Sequence, residues 1–220
     1  MAPSTTTNAR RGHLFVIAAP SGAGKTSLVR ALMEREPALR FSISYTTRRQ
    51  RPAEVDGRDY FFVTKDAFEA MVGRGEFLEH ARVFDNYYGT ALKPVEAALA
   101  AGQDLILEID WQGAQQIRRA LPECRSIFIL PPSRDELERR LRGRGTDAED
   151  VIERRLRDAA SDMTHWSDFD FVVVNDDFDR ALADLHAIVR GQGDSVRRER
   201  HGLKVLVETL TDRGAPAENG

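Results

Sequence analysis

Short apolar runs alternate with amphipathic stretches along most of the chain. Residues 13–19, 104–109, 126–130 and 169–174 are compact apolar segments and read as strands buried on both faces. Residues 25–36, 114–121 and 178–190 place apolar side chains at helical spacing and read as helices. Strand followed by helix, repeated, predicts an α/β fold: a three-layer core with a parallel sheet covered on both faces. Two regions break the rhythm. Residues 41 to about 90 are aromatic-rich and alternating, with turns at Arg51-Pro52 and Asp56-Gly57, and predict a small α+β insert with antiparallel strands. Residues 133–166 are almost entirely charged helix around Arg-Gly-Arg-Gly at 142–145. With too few apolar positions for core, they predict a solvated, mobile helical pair.

The core therefore spans about 13–190, with polar tails expected to be disordered at 1–12 and 213–220. The segment 191–220 is expected to hold a C-terminal helix and the tail. Within it, Arg-Arg-Glu-Arg at 197–200 reads as a solvated helical face. Leu203, Leu206 and Leu210 would dock on the body or on another subunit as a homo-oligomer contact.

Composition narrows the class. A chain of 220 residues supports one large domain, and 41 % hydrophobic with 30 % charged residues is globular. No apolar run is long enough to span a membrane, and the first twelve residues lack the apolar core of a secretory signal. Cys124 is the one cysteine, which excludes an internal disulfide and a cysteine metal cluster, and the five histidines have no metal-site spacing. A cytoplasmic protein fits these features. A net charge of −3 argues against nucleic acid as a partner. Arginine outnumbers lysine 28 to 4. Coding-sequence composition accounts for that excess, so only local arginine clusters count as candidate phosphate ligands.

The first such context is Ala-Pro-Ser-Gly-Ala-Gly-Lys-Thr at 19–26, between a buried strand and a helix. Backbone N–H groups at a helix N-terminus form an anion cradle, and Gly22 and Gly24 permit close approach. Lys25 would reach the β- and γ-phosphates of a nucleoside triphosphate, and Thr26 would place a hydroxyl on Mg²⁺. The motif ordinarily begins with Gly, and here Ala19 stands there. Asp110, at the end of the second apolar strand, sits where an acidic Mg²⁺ partner is expected, directly or through water. Glu108 lies on the same strand face, and one of the two acids would otherwise serve in an ion pair.

The insert supplies a second context. Arg48 and Arg51 are three apart and able to converge on one anion, and Tyr60, Tyr88 and Thr90 add hydroxyls. Glu79 follows a strand-like stretch. A carboxylate accepts two parallel hydrogen bonds from the N1–H and 2-amino edge of guanine, which adenine lacks. A solvated loop with incidental arginines is the alternative.

In series, these motifs closely resemble guanylate kinases of bacterial type. The resemblance is carried by the 19–26 loop, Ser-Tyr-Thr-Thr-Arg-Arg-Gln-Arg-Pro at 44–52, Glu-Val-Asp-Gly-Arg-Asp-Tyr-Phe-Phe at 54–62 and Phe-Leu-Glu-His-Ala at 77–81. It continues through Asn-Tyr-Tyr-Gly-Thr at 86–90, Glu-Ile-Asp-Trp-Gln-Gly-Ala at 108–114, Arg-Gly-Arg-Gly at 142–145 and Val-Asn-Asp-Asp at 174–177. It implies a phosphate-loop kinase core with a nucleotide-acceptor insert and a helical lid. The reaction implied is ATP + GMP giving ADP + GDP, with Mg²⁺ and with dGMP also accepted. The resemblance places ATP on Ser21, Gly22, Ala23, Gly24, Lys25, Thr26 and Ser27, with Asn175 near its adenine. It places the GMP phosphate on Arg48, Arg51, Tyr60 and Tyr88, and the guanine on Ser44, Glu79, Thr90 and Asp110. Arg144 and Arg155 match lid arginines that close over the transferring phosphoryl group. The family commonly has Asp where this chain has Glu108. Two rival readings are a peptide-binding scaffold on the same fold and a kinase of another acceptor such as a sugar bisphosphate.

Overall fold

A computed structural model describes residues 10–83, 85–143 and 148–212. Arg144 and both predicted tails, apart from 10–12, lie outside the described residues. Strand β1 (Leu14–Ala18) is wholly buried and runs into helix α1 (Lys25–Arg35) through the glycine-rich loop. Four short elements follow: β2 (Arg40–Phe41), β3 (Tyr45–Thr46), β4 (Phe61–Phe62) and α2 (Lys65–Gly73). Next are β5 (Phe77–Val83), β6 (Asn86–Ala91), α3 (Leu92–Ala100), β7 (Leu105–Glu108) and α4 (Trp111–Ala120). The rest is β8 (Arg125–Leu130), α5 (Arg134–Arg142), α6 (Glu149–Met163), β9 (Phe171–Val174), α7 (Phe178–Val189) and α8 (Leu203–Thr211).

The larger sheet has the order β2-β7-β1-β8-β9, with β2–β7 and β8–β9 paired in parallel. Strand β1 is apolar along its whole length, and β7 and β8 are apolar apart from Glu108 at the end of one and Arg125-Ser126 at the start of the other, as strands covered on both faces require. Several helices begin where a side chain accepts an orphan N–H, while α3, α6 and α8 have no such cap. Asp110 caps α4, Ser133 caps α5 and Asp177 caps α7. Among the described residues no helix is long and apolar enough to cross a membrane.

The described chain divides into two compact units, one of residues 10–16 and 36–125, the other of 17–35 and 126–212. The first contains the insert, a four-stranded sheet ordered β4-β3-β6-β5. Its pairs β3–β6 and β5–β6 are antiparallel as predicted, but β3–β4 is parallel, because a long loop carries the chain from Thr46 back to Phe61. Phe68 of α2 is fully buried and stacks on Phe77 at 4.5 Å and Tyr87 at 5.5 Å. Arg10 and Gly12, predicted as tail, are tied to this unit. Gly12 N–H donates to the Leu99 carbonyl at 2.9 Å, and Arg10 pairs with Asp104 at 3.5 Å.

In the second unit, α1 packs on α7, α5 on α6, and α6 on α8. The charged helical pair is less solvated than its composition implies. Leu137 and Leu141 of α5, and Ile152, Ala159 and Met163 of α6, are buried. A handful of correctly spaced apolar residues suffices to bury one helix face. The stretch 197–200 is not helical. Arg197 forms an isolated bridge with Phe171 and lies over its ring at 5.3 Å. Leu203 and Leu210 are buried within this unit, and Leu206 is half-buried.

Candidate functional site

The first unit carries a continuous chain of polar groups on β3, β5 and β6. Register pairs Glu79 with Thr90, and the Thr90 hydroxyl donates to Glu79 Oε1 at 2.7 Å. Ser44 Oγ is 3.5 Å from Thr90 Oγ1. All three residues are buried, Glu79 to 3 % exposure. Burial pushes the Glu79 carboxyl up to about 7, and the charge of Asp110 acts in the same direction. The Thr90 hydroxyl opposes the rise. Asp110 lies beyond the strand rather than on it. β7 ends at Glu108, and Asp110 Oδ1 accepts the N–H groups of Gln112 at 2.7 Å and Gly113 at 3.0 Å.

A second cluster in the same unit is cationic and aromatic. The Arg48 guanidinium lies 5.5 Å from the Tyr60 ring centre and 5.8 Å from that of Phe62. Tyr60 and Tyr88 meet edge to face at 6.0 Å. Burial, aided by the charge of Glu108, pushes the Tyr60 phenol up to about 12, so it is a hydrogen-bond donor at neutral pH. Glu54 organises this corner. Its Oε1 takes Arg48 Nη2 at 2.7 Å and its Oε2 takes the Arg51 backbone N–H at 2.8 Å. Arg48 and Arg51 therefore share one carboxylate, although the Arg51 side chain itself is exposed. A half-buried guanidinium beside phenol hydroxyls suits a dianionic phosphate.

The second unit carries the glycine-rich loop. Gly22 and Gly24 have φ of +91° and +93°, which side chains with Cβ rarely adopt. A Cβ at Gly22 would stand 2.9 Å from Leu137, and one at Gly24 would collide with the Asn175 amide. Asn175 is buried and its Nδ2 donates to the Ala23 carbonyl at 2.7 Å. Arg140 joins it, donating to the carbonyls of Ala23 at 3.4 Å and Asn175 at 2.9 Å. Glu136 orients Arg140 at 2.7 Å and is held down to about 2 by Arg139 and Arg140. Lys25 opens α1 half-buried, and Thr26 and Ser27 are exposed on its first turn. The Ala23 carbonyl in the loop is thus held by two side chains, Asn175 and Arg140. Arg155 is half-buried on α6.

The guanylate kinase family model matches residues 11–192. The chain belongs to the guanylate kinase family. A guanylate kinase of Photorhabdus laumondii subsp. laumondii is 56 % identical over 196 residues, covering 88 % of this chain and 94 % of that one. One from Alkalilimnicola ehrlichii is 54 % identical over 201 residues, covering 91 % and 98 %. The crystal structure of guanylate kinase from Anaplasma phagocytophilum shares 33 % identity, covers 90 % of this chain and 95 % of its own, and superposes with a TM-score of 0.69. As a guanylate kinase the chain is a nucleoside monophosphate kinase, with an α/β phosphate-loop core and ATP-dependent phosphorylation of GMP as its reaction.

Within this guanylate kinase, the predicted site residues gather into groups. Ser44, Glu79 and Thr90 form one, with Asp110 close enough to act on Glu79 by charge. Arg48, Tyr60 and Tyr88 form another, joined by the Arg51 backbone through Glu54. Asn175 meets the loop at Ala23. Sequence reasoning missed Glu54, Gln116, Glu136 and Arg140. Arg140 sits in a run of arginines with nothing local to distinguish it. Glu54 carries a weak signal, an acid six residues after Arg48.

Proposed function

We propose that guanine is read by Glu79, Ser44, Thr90 and Asp110, and that the GMP phosphate is held by Arg48, Arg51, Tyr60 and Tyr88. The ATP phosphates lie on Ser21–Ser27 with Lys25 at the β- and γ-groups, and Asn175 lies near the adenine. A GMP phosphate oxygen attacks the γ-phosphorus of ATP, the bond to the β–γ bridging oxygen breaks, and ADP leaves. Two nucleotide phosphate groups bring about five to six negative charges together, so positioned cations are the main catalytic requirement. Lys25, Arg48, Arg51, Arg144 and Arg155 supply them. Thr26 and Asp110 are hard oxygen donors of the kind Mg²⁺ takes. Asp110 would hold the metal directly or through water while its carboxylate also caps α4. Bound Mg²⁺ would neutralise charge on the phosphates.

The observation that supports this reading most is the buried Glu79 carboxyl, joined through Thr90 to Ser44 on strands that also carry Tyr88. A carboxyl in such a place needs a partner with two donors, and guanine offers one. We place the kinase domain at 13–190, working in the cytoplasm in purine nucleotide metabolism. A coupled ADP-release assay with ATP and Mg²⁺ tests the reading with GMP, dGMP, AMP, CMP and UMP offered separately. Turnover is expected with GMP and dGMP alone, and to fall by about 10³-fold or more in Lys25→Ala. Turnover with another monophosphate would refute the guanine assignment. GMP binding with no turnover would favour a scaffold.

A further inference from the structure

Helix α4 meets strand β5 at two consecutive residues, and both contacts bear on Glu79. Gln116 Oε1 accepts the His80 N–H at 3.2 Å, and its Nε2 donates to the His80 carbonyl at 2.8 Å. One side-chain amide thus holds both backbone groups of the residue next to Glu79. Three residues earlier, the helix comes so close that a Cβ at Gly113 would stand 2.5 Å from Glu79 Oε2 and 3.1 Å from its Cδ. Three residues earlier again, Asp110 caps the helix and acts on Glu79 by charge. Gly113 and Gln116, three apart, lie on one face of α4, with Asp110 at its cap. Glycine inside a helix is less favourable than alanine, so a buried glycine there points to a packing reason. The Glu79 carboxylate is that reason.

We propose that Gly113 and Gln116 are positioning residues that set where the Glu79 carboxylate stands, and so set the preference for a purine with a 2-amino group over one without it. The inference rests on the reading of Glu79 as the guanine-recognising group. Gln116 fixes the strand backbone under Glu79, and Gly113 leaves the carboxylate its space. A methyl group at 113 displaces the tip of a side chain rather than backbone, so the fold survives and the direction of the carboxylate changes. Hydrogen bonds weaken steeply with distance and angle, so a small displacement of the carboxylate erodes the paired contact.

The test compares GMP with inosine 5′-monophosphate, which lacks the 2-amino group. Steady-state kcat and KM for each are measured at saturating ATP in the parent, Gly113→Ala, Gln116→Leu and Glu79→Gln, with the Tm of each. In Gly113→Ala the KM for GMP is expected to rise about tenfold, kcat to stay within about threefold, and the GMP:IMP ratio of kcat/KM to fall about tenfold. Gln116→Leu is expected to lower that ratio about threefold, and Glu79→Gln to lower it most. If Glu79→Gln lowers the ratio while Gly113→Ala and Gln116→Leu leave it unchanged, the positioning role is refuted and the guanine reading stands. An equal loss with both acceptors, or a drop in kcat alone, assigns the pair a merely structural role and also refutes it. An unchanged ratio in Glu79→Gln removes the guanine reading and the inference with it.

Discussion

The buried Glu79 carboxyl costs stability at neutral pH, and the proposed reading of guanine gives that cost a use. The carboxyl titrates near 7 in the folded chain, against an ordinary value of 4.5. Between those values the folded state holds more proton than the unfolded one, so stability falls as pH rises from about 4.5 to 7 and the full cost is present above 7. Glu79→Gln keeps an acceptor for Thr90 and removes the charge. It is expected to be more stable than the parent at pH 8, by roughly 1–3 kcal/mol, with the difference gone by pH 4.5. Denaturant melts at the two pH values check the sign. In the parent, affinity for guanosine, which has no phosphate to titrate in this range, is expected to weaken as pH drops from 8 to 5.5. A pH-independent guanosine affinity would mean that the base does not engage the carboxylate. Tyr60 is the opposite case. Pushed up to about 12, its phenol keeps its proton throughout the neutral range and is available as a donor to the phosphate proposed to bind beside it.

Elements obey simpler rules, and those rules say which parts of the sequence were legible. Four strands of the larger sheet and helices α1 and α7 are legible within a few residues, because burial on both faces and helical spacing leave a local signature; the two-residue edge strand β2 has no such signature, and its Phe41 falls in the predicted insert. Helix α4 starts at Trp111, three residues before the predicted start at 114, because the Asp110 side chain caps it there. Its cap is testable. Asp110→Ala is expected to lower stability by about 1 kcal/mol, and Asp110→Asn, which retains an acceptor for Gln112 and Gly113, to restore most of it. Equal melting temperatures for the two variants would deny the cap its role. The run 197–200 has helical composition but is set by a distant partner, the Phe171 ring, which no local pattern reveals. The same holds in the site. Loop glycines and motif arginines stand out in sequence, whereas Glu54, Gln116 and Arg140 matter through pairings across 6, 36 and 117 residues.

At the scale of the whole molecule, the C-terminal segment does more than trail behind the core. Leu203, Val207 and Leu210 of α8 are buried, α8 packs on α6, and Arg134 at the start of α5 donates to the Asp212 carbonyl at 2.9 Å. Burying three such side chains contributes several kcal/mol before chain entropy is subtracted. A chain ending at Gly202 is therefore expected to melt about 5–10 °C lower than the full chain by calorimetry. An unchanged melting temperature would show that α8 adds nothing to the body. One local contact also has a consequence at this scale. In the sheet β4-β3-β6-β5, strand β5 is the last strand, and at His80 the outward N–H and carbonyl are already taken by one glutamine side chain. An uncovered border strand is a template on which another molecule can build. Gln116 acts there as a one-residue false strand: at that rung the edge has no free backbone pair left to offer, and the side chain that takes the pair carries no ladder of its own.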